Sequence, residues 1–228
     1  MKKVIVLSLG GSLIIPESIN TTYLKTFKKV LLKNKSKYKF IVVCGGGSLA
    51  RKYISSLRNI NINEKFQSYA GISATRTNAR FMSYFFNQDQ KRGIPDKTKE
   101  VKKYIKKYDI IFCGALEYNP NQTSDSTSAE IAKEFKCDFI NLTDVKGLHD
   151  KNPKKFKNAK FIPEISWQEF YEMANKIKFK PGQHFVLDQS ASQIIKKNKI
   201  TTYILGEDMK QLDNLLNKKK FVGTKIDG

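Results

Sequence analysis

Apolar residues along the chain fall into two alternating rhythms. Val4 to Leu9 is a short β-rich run, stopped at once by Gly10-Gly11-Ser12. Tyr23, Leu24, Phe27, Val30 and Leu31 then recur at helical spacing. Phe40 to Cys44 is a second buried-strand run, ended by Gly45-Gly46-Gly47, and Leu49, Tyr53, Ile54 and Leu57 mark the helix after it. The same pattern predicts a helix over Ala74 to Phe86 and a third strand over Asp109 to Cys113. Beyond a polar loop to Ser124 comes a helix from about Asp125 to Phe135, then a fourth strand over Asp138 to Leu142 and a polar segment through Asn158. Helices over Trp167 to Ala174, Asp188 to Lys196 and Leu212 to Leu216 surround a strand over Thr201 to Leu205. Continuous apolar strands separated by helices specify an α/β fold whose mostly parallel sheet is covered on both faces.

In such a sheet, ligands bind at the carboxyl ends of the strands. The loops there are Gly10 to Ser12, Gly45 to Ser48, Gly114 to Ser124 and Thr143 to Asn152. The first two share one design: a strand, then residues without Cβ, then a helix, which lets backbone N–H groups approach a phosphate closely. One glycine loop serves any tight turn, but two in successive units fit two phosphate-bearing ligands or two ends of one. No GxxxxGK[ST] is present, which argues against a P-loop NTPase. Gly45-x-Gly47-x-x-Ala50, with Glu64 further on, does satisfy the dinucleotide fingerprint. That fingerprint normally follows the first strand of its fold, and the segment before Glu64 is a poor buried strand. Arg51, in the first turn of the helix after the glycines, is placed to fork onto phosphate oxygens.

Charge complicates this picture without overturning it. The 228 residues carry 42 basic and 21 acidic side chains, a net charge of +21, which on its face suggests nucleic acid. Lysine supplies 37 of the 42, spread as pairs on helix faces and near element ends rather than gathered with arginine and aromatics in one stripe. The expectation is therefore an attraction for phosphorylated ligands, with no specific nucleic-acid partner. Cys44, Cys113 and Cys137 are far apart and form no CxxC, so they read as small buried residues rather than metal ligands. No apolar run approaches the roughly 18 residues of a membrane span, and the opening run is too short for a signal peptide. A soluble cytoplasmic protein, with no membrane partner, is expected.

Taken together, the loop sequences resemble the amino-acid kinase superfamily, and within it the archaeal-type uridylate (UMP) kinases. The resemblance runs from Leu9 to Leu13, through Gly45 to Ile54, Gly71 to Ala79, Asn119 to Asp125 and Thr143 to Lys155, and on to Lys180 to Gly182, Val186 to Asp188 and Gly223 to Ile226. It implies a three-layer α/β/α sandwich forming a single domain over 1–228, with the acceptor bound by about 1–125 and ATP by about 126–228. It implies transfer of phosphate from ATP, with Mg²⁺, to UMP. Matched by motif, Gly11, Ser12, Gly47 and Arg51 would lie on the ATP phosphates, and Thr143, Asp144, His149 and Asn152 would line the ATP nucleoside site. Gly46 would hold the UMP phosphate, and Asn119, Pro120, Asn121, Gln122, Thr123, Ser124 and Asp125 its nucleoside, with Ser68 standing where the family uses an aspartate near UMP. Lys180 matches a family lysine that would neutralise charge on the transferred group. A homo-oligomer, hexameric by resemblance, is expected.

The chain departs from the family pattern at Ser8, where a charged Lys or Asp is usual, and at Leu116 and Glu117, where glycines are usual. His149 stands for a tyrosine and Asn152 for an aspartate. A non-catalytic nucleotide- or anion-binding protein on the same fold, or a superfamily kinase with another small phosphorylated acceptor, is the alternative these positions leave open. Asp125 itself admits two roles: the cap of its helix, or a carboxylate accepting hydrogen bonds from the ribose or uracil of UMP.

Overall fold

Strand β1 (Lys3–Leu9) is an uninterrupted row of buried positions after its first two residues, and it lies inside the sheet with a paired strand on each side. The computed structural model describes residues 2–118, 123–176 and 186–228. After β1 come the short helix α1 (Gly11–Ile14), helix α2 (Thr21–Asn34) and strand β2 (Tyr38–Cys44). Helices α3 (Gly47–Asn59), α4 (Glu64–Phe85) and α5 (Thr98–Lys107) precede strand β3 (Ile110–Cys113). Helix α6 (Ser124–Phe135) leads to β4 (Phe139–Leu142), then to the two-residue strands β5 (Leu148–His149), β6 (Phe161–Ile162) and β7 (Glu164–Ile165). The remainder is α7 (Trp167–Asn175), α8 (Gln189–Asn198), β8 (Thr202–Leu205), α9 (Met209–Leu216) and β9 (Thr224–Ile226).

The main sheet has the order β3-β2-β1-β4-β8-β9-β7. Strands β3, β2, β1, β4 and β8 are parallel neighbours, while β9 runs antiparallel to β8. Because side chains alternate across a strand, one sheet feeds two cores. Ile5, Leu7, Leu9, Phe40 and Val42 pack with α2, α4 and α9 residues such as Leu24, Phe27, Met82 and Leu212. Val6, Ile41 and Val43 pack on the other face with Val101 of α5, Ile131 of α6, Phe170 of α7 and Ile195 of α8. This is the three-layer α/β/α sandwich the sequence predicts. From β1 the chain moves outward through β2 and β3 on one side, then crosses to β4 and β8 on the other. The order reverses between β1 and β4, and such a switch point opens a crevice at the strands' carboxyl ends.

Several boundaries differ from the sequence-based expectation. Helix α4 starts at Glu64, ten residues before the expected Ala74, because Asn63 caps it by accepting from the Phe66 N–H at 3.2 Å. The polar segment through Asn158 contains β5, which pairs antiparallel with β6, and α5, β7 and β9 were not anticipated. These elements carry between one and three apolar residues each, too few for a period to show. Cys44 and Cys113 are buried as expected, and burial pushes the Cys113 thiol up to about 12. Cys137 is half-buried.

Candidate active site

The two glycine loops meet backbone to backbone. A Cβ on Gly11 would lie 2.0 Å from the Gly47 nitrogen and 2.6 Å from its Cα, and one on Gly45 would lie 2.5 Å from the Gly11 nitrogen. Gly47 has φ +59°, a left-handed conformation that favours glycine, and a Cβ there would lie 2.4 Å from the Gly11 oxygen. The Ser48 N–H donates to the Ile15 oxygen at 3.0 Å, which pins the start of α3 to the end of α1. On the other side of β1, the Gly10 N–H donates to the Leu142 oxygen at 3.0 Å. The loops after β1, β2 and β4 thus form one continuous rim around the switch point.

Helix α4 holds this rim from behind. Asn78, 5% exposed, donates to the Gly45 oxygen at 2.7 Å and the Gly46 oxygen at 3.1 Å. Three residues earlier on the same face, the Thr75 hydroxyl accepts from the Ala115 N–H at 2.9 Å, and Arg76 Nε donates to the Ala115 oxygen at 3.1 Å. One helix therefore fixes the loops after both β2 and β3. Sequence reasoning placed Gly71 to Ala79 in the family resemblance but assigned these residues no role. The available signal was a polar Thr-Arg-Thr-Asn run with Thr75 and Asn78 at i, i+3 on a helix that needs a buried face. Replacing Asn78 by Ala would strip the Gly45 carbonyl of this partner, while the Gly46 oxygen keeps the Ala50 N–H at 3.2 Å, at a cost of about 1–3 kcal/mol. Thermal unfolding of Asn78→Ala should show that loss together with weakened phosphate-ligand binding; an unchanged Tm would mean the loop does not need this anchor.

Carboxylates gather on the other side of the crevice. Thr123 caps α6 by accepting from the Asp125 N–H at 3.1 Å, and α6 begins at Ser124. Asp125 is therefore a first-turn residue and not the cap. Its carboxylate accepts from the buried Ser8 hydroxyl at 2.8 Å. Asp188, the cap of α8, accepts from the Ala191 N–H at 2.7 Å, from the Ser126 hydroxyl at 2.8 Å and from the Thr123 hydroxyl. Burial, followed by the charge of Asp188, pushes the Asp125 carboxyl up to about 7, against the lowering effect of the Ser8 hydrogen bond. Ser8, read from the sequence only as a missing charge, turns out to be the hydroxyl that positions Asp125.

The other expected site residues make mostly local contacts. Gly46 is the cap residue of α3, and its missing Cβ clears Ala50, which would otherwise lie 2.3 Å away. Ser12 sits in α1 beside Gly11. Arg51 is exposed on α3, and its guanidinium donates to the Pro16 oxygen at 3.1 Å, across to the loop that follows α1. Thr143 continues β4, with its N–H on the Leu205 oxygen at 3.0 Å, and Asp144 pairs with Lys154. His149 Nδ1 lies 3.0 Å from the Gly147 oxygen, with its ring edge-on to Phe161. Asn152 holds a turn, its Oδ1 accepting from the Lys154 N–H at 2.9 Å. Ser68 turns its hydroxyl onto its own helix, donating to the Glu64 oxygen at 2.9 Å. Its neighbour Tyr69 packs on Tyr118 with ring centroids 5.2 Å apart. Asn119, Pro120, Asn121, Gln122 and Lys180 lie outside the described residues. Glu64, the acidic residue of the rival dinucleotide fingerprint, opens α4 and follows no strand.

Two glycine loops locked together at the switch point of a parallel sheet, with a helix N-terminus behind one of them, define an α/β protein built to hold phosphorylated ligands. More specifically, the chain belongs to the amino acid kinase family, whose model matches residues 3–206. It is 32% identical over 228 residues to a uridylate kinase of Thermoplasma volcanium, covering all of this chain and 99% of that protein. It is 35% identical over 203 residues to a uridylate kinase of Archaeoglobus fulgidus, covering 88% of this chain and 90% of the relative. The crystal structure of uridylate kinase from Archaeoglobus fulgidus superposes with a TM-score of 0.84 at 32% identity, covering 99% of this chain and all of that one. UMP kinase from Ureaplasma parvum, 21% identical over the whole of both chains, has a TM-score of 0.80 and shares the fold.

Proposed function

We propose that the chain is a UMP kinase, transferring the terminal phosphoryl group of ATP to UMP to give UDP and ADP. The observation that carries this reading is the direct backbone contact between Gly11 and Gly47. It brings two phosphate-binding loops within reach of one another, and transfer between two bound phosphates needs that proximity more than it needs a protein nucleophile. The full-length likeness to archaeal uridylate kinases supports UMP as the acceptor.

In this reading Gly11, Ser12, Gly47 and Arg51 hold the ATP phosphates, while Thr143, Asp144, His149 and Asn152 line the nucleoside of ATP. Gly46 takes the UMP phosphate; Ser68 and the stretch from Asn119 to Asp125 take the rest of UMP. Lys180 neutralises charge on the group in transit. Magnesium would arrive with ATP and supply charge neutralisation on its phosphates. The division into an acceptor-binding part, about 1–125, and an ATP-binding part, about 126–228, follows the two sides of the switch point. Both share one sheet, because β1 pairs with β2 and with β4. Among the described residues no helix is long and apolar enough to cross a membrane. A cytoplasmic homo-oligomer, hexameric and acting on free nucleotides, completes the reading.

A coupled ADP-release assay with MgATP tests it against UMP, CMP, AMP, GMP and isopentenyl phosphate. Turnover should be greatest with UMP; nucleotide binding with no turnover of any acceptor would favour the binding-protein alternative. Arg51→Lys should behave as a loss of function, because a point charge cannot reproduce a forked contact to phosphate. The loss of a charged hydrogen bond, about 1.5–3 kcal/mol, corresponds to one to two decades in kcat/KM. Normal kinetics in Arg51→Ala would leave the arginine only its contact with Pro16.

A further inference from the structure

Polar side chains buried around the glycine loops are satisfied almost without exception. Asn78 and Thr75 bond loop backbone, Ser8 bonds Asp125 and Ser126 bonds Asp188. Ser48 is the exception. It is 3% exposed, and its hydroxyl has no hydrogen-bond partner among the described residues. A buried hydroxyl left unpaired weakens the fold, and an alanine of nearly the same size would remove that cost. Folding of the free chain therefore gives no reason for a serine here.

Its position does. Ser48 is the second residue of α3, a helix of 13 residues, immediately after the left-handed Gly47 that touches Gly11. Its N–H is already committed to the Ile15 oxygen, so the residue is clamped between both glycine loops. A Cα–Cβ bond on a helix tilts toward the N-terminus, which turns this hydroxyl toward the end of α3 that carries partial positive charge. A buried, unpaired hydroxyl in the first turn of a helix, beside its partly positive N-terminus, suits an anion with several acceptor oxygens.

We infer that Ser48 is a ligand-binding residue whose hydroxyl donates to a phosphate oxygen of the nucleotide bound at the junction of the two glycine loops. The inference rests on the phosphoryl-transfer reading for its ligand, and on the unpartnered, buried hydroxyl for its residue. It gives Ser48 a signature that a structural serine lacks: removal weakens the liganded protein and spares the free one.

The experiment compares wild type, Ser48→Ala and Ser48→Cys by thermal unfolding without ligand and by calorimetric titration with MgATP, UMP and magnesium tripolyphosphate, followed by steady-state kinetics. Ser48→Ala should melt at or above the wild-type temperature when free. It should also bind at least one of the three probes about tenfold more weakly or lose about tenfold in kcat/KM. Ser48→Cys, of similar size with a weak donor, should share the functional loss. Unchanged affinities and kinetics in Ser48→Ala would overturn the inference, as would a drop of more than about 5 °C in its ligand-free Tm. A wild type that binds tripolyphosphate or MgATP but turns over no UMP would defeat the proposed activity, while Ser48 would still be judged on the affinities alone.

Discussion

Gly11→Ala should unfold at least about 6 °C below the wild type and lose two decades or more of kcat/KM. The added methyl would sit 2.0 Å from the Gly47 nitrogen, 2.6 Å from the Gly47 Cα and 2.8 Å from the Gly45 carbonyl carbon. All three are backbone atoms, so no side chain can rotate away, and one loop must move off the other. Overpacking costs about 1–3 kcal/mol where neighbours can adjust, and a backbone-on-backbone clash belongs at or above the top of that range. For a chain of this size each kcal/mol is worth about 2–4 °C in Tm. The larger effect is on activity, since a shift of about 1 Å between reacting groups costs on the order of a hundredfold. Gly71→Ala is the control. It lies within α4, where the nearest neighbour of a new Cβ is the flexible end of Ile54 at 3.2 Å, so helix propensity should leave stability equal or slightly higher. Differential scanning fluorimetry and kinetics on the pair decide the matter: a Gly11→Ala protein that behaves like Gly71→Ala would show that the loops do not meet.

Asp125→Asn should change stability and activity in opposite directions. In the wild type, burial and the neighbouring Asp188 raise the Asp125 carboxyl to about 7. An aspartate in the unfolded chain titrates near 3.9, so between about pH 4 and 7 the folded protein holds a proton that the unfolded chain has lost. Stability therefore falls as pH rises through that window. Asparagine keeps an oxygen for the Ser8 hydroxyl and carries no charge. The variant should lack this slope, melting near the wild type at pH 5 and higher than it at pH 8 by about 2–3 kcal/mol, or roughly 5–10 °C. If the carboxylate also serves UMP, kcat/KM for UMP should drop about tenfold, because the amide places a donor where an acceptor is needed. Parallel pH profiles of Tm for the two proteins would contradict the electrostatic account; unchanged UMP kinetics would remove Asp125 from the acceptor site.

Much of the fold was legible because the central strands are short and almost wholly apolar. Val4 to Leu9, Phe40 to Cys44 and Asp138 to Leu142 could be read as buried strands, and the glycines after them marked the carboxyl ends where the crevice lies. What escaped notice depends on contacts distant in sequence. The first ten residues of α4 are held by a cap at Asn63 and by packing, and their surface is too polar to announce a helix. β7 and β9 have two and three residues and exist because the sheet edge beyond β8 supplies their hydrogen bonds. At the site, glycine and motif spacing located Gly11, Gly46 and Gly47, but could not show that Gly11 and Gly47 touch. The pairing of Ser8 with Asp125 spans 117 residues, and that of Thr123 and Ser126 with Asp188 spans 65 and 62. No local pattern encodes such pairs; they follow from α6 and α8 packing together on one face of the sheet beside β1. The helix start misplaced by one residue at Asp125 had the same origin, because Thr123 is fixed as cap by its second bond to Asp188.

The locked glycine loops are proposed to pass a phosphoryl group from ATP to UMP. The direct measurement is transfer of label from γ-labelled ATP, with Mg²⁺ and UMP, followed by chromatography of the nucleotides. Label should appear in UDP, dependent on UMP, with a rate at least about a hundredfold lower in Gly11→Ala and unchanged in Gly71→Ala. Label remaining in ATP or released as free phosphate, from a wild-type protein that binds both nucleotides, would contradict it.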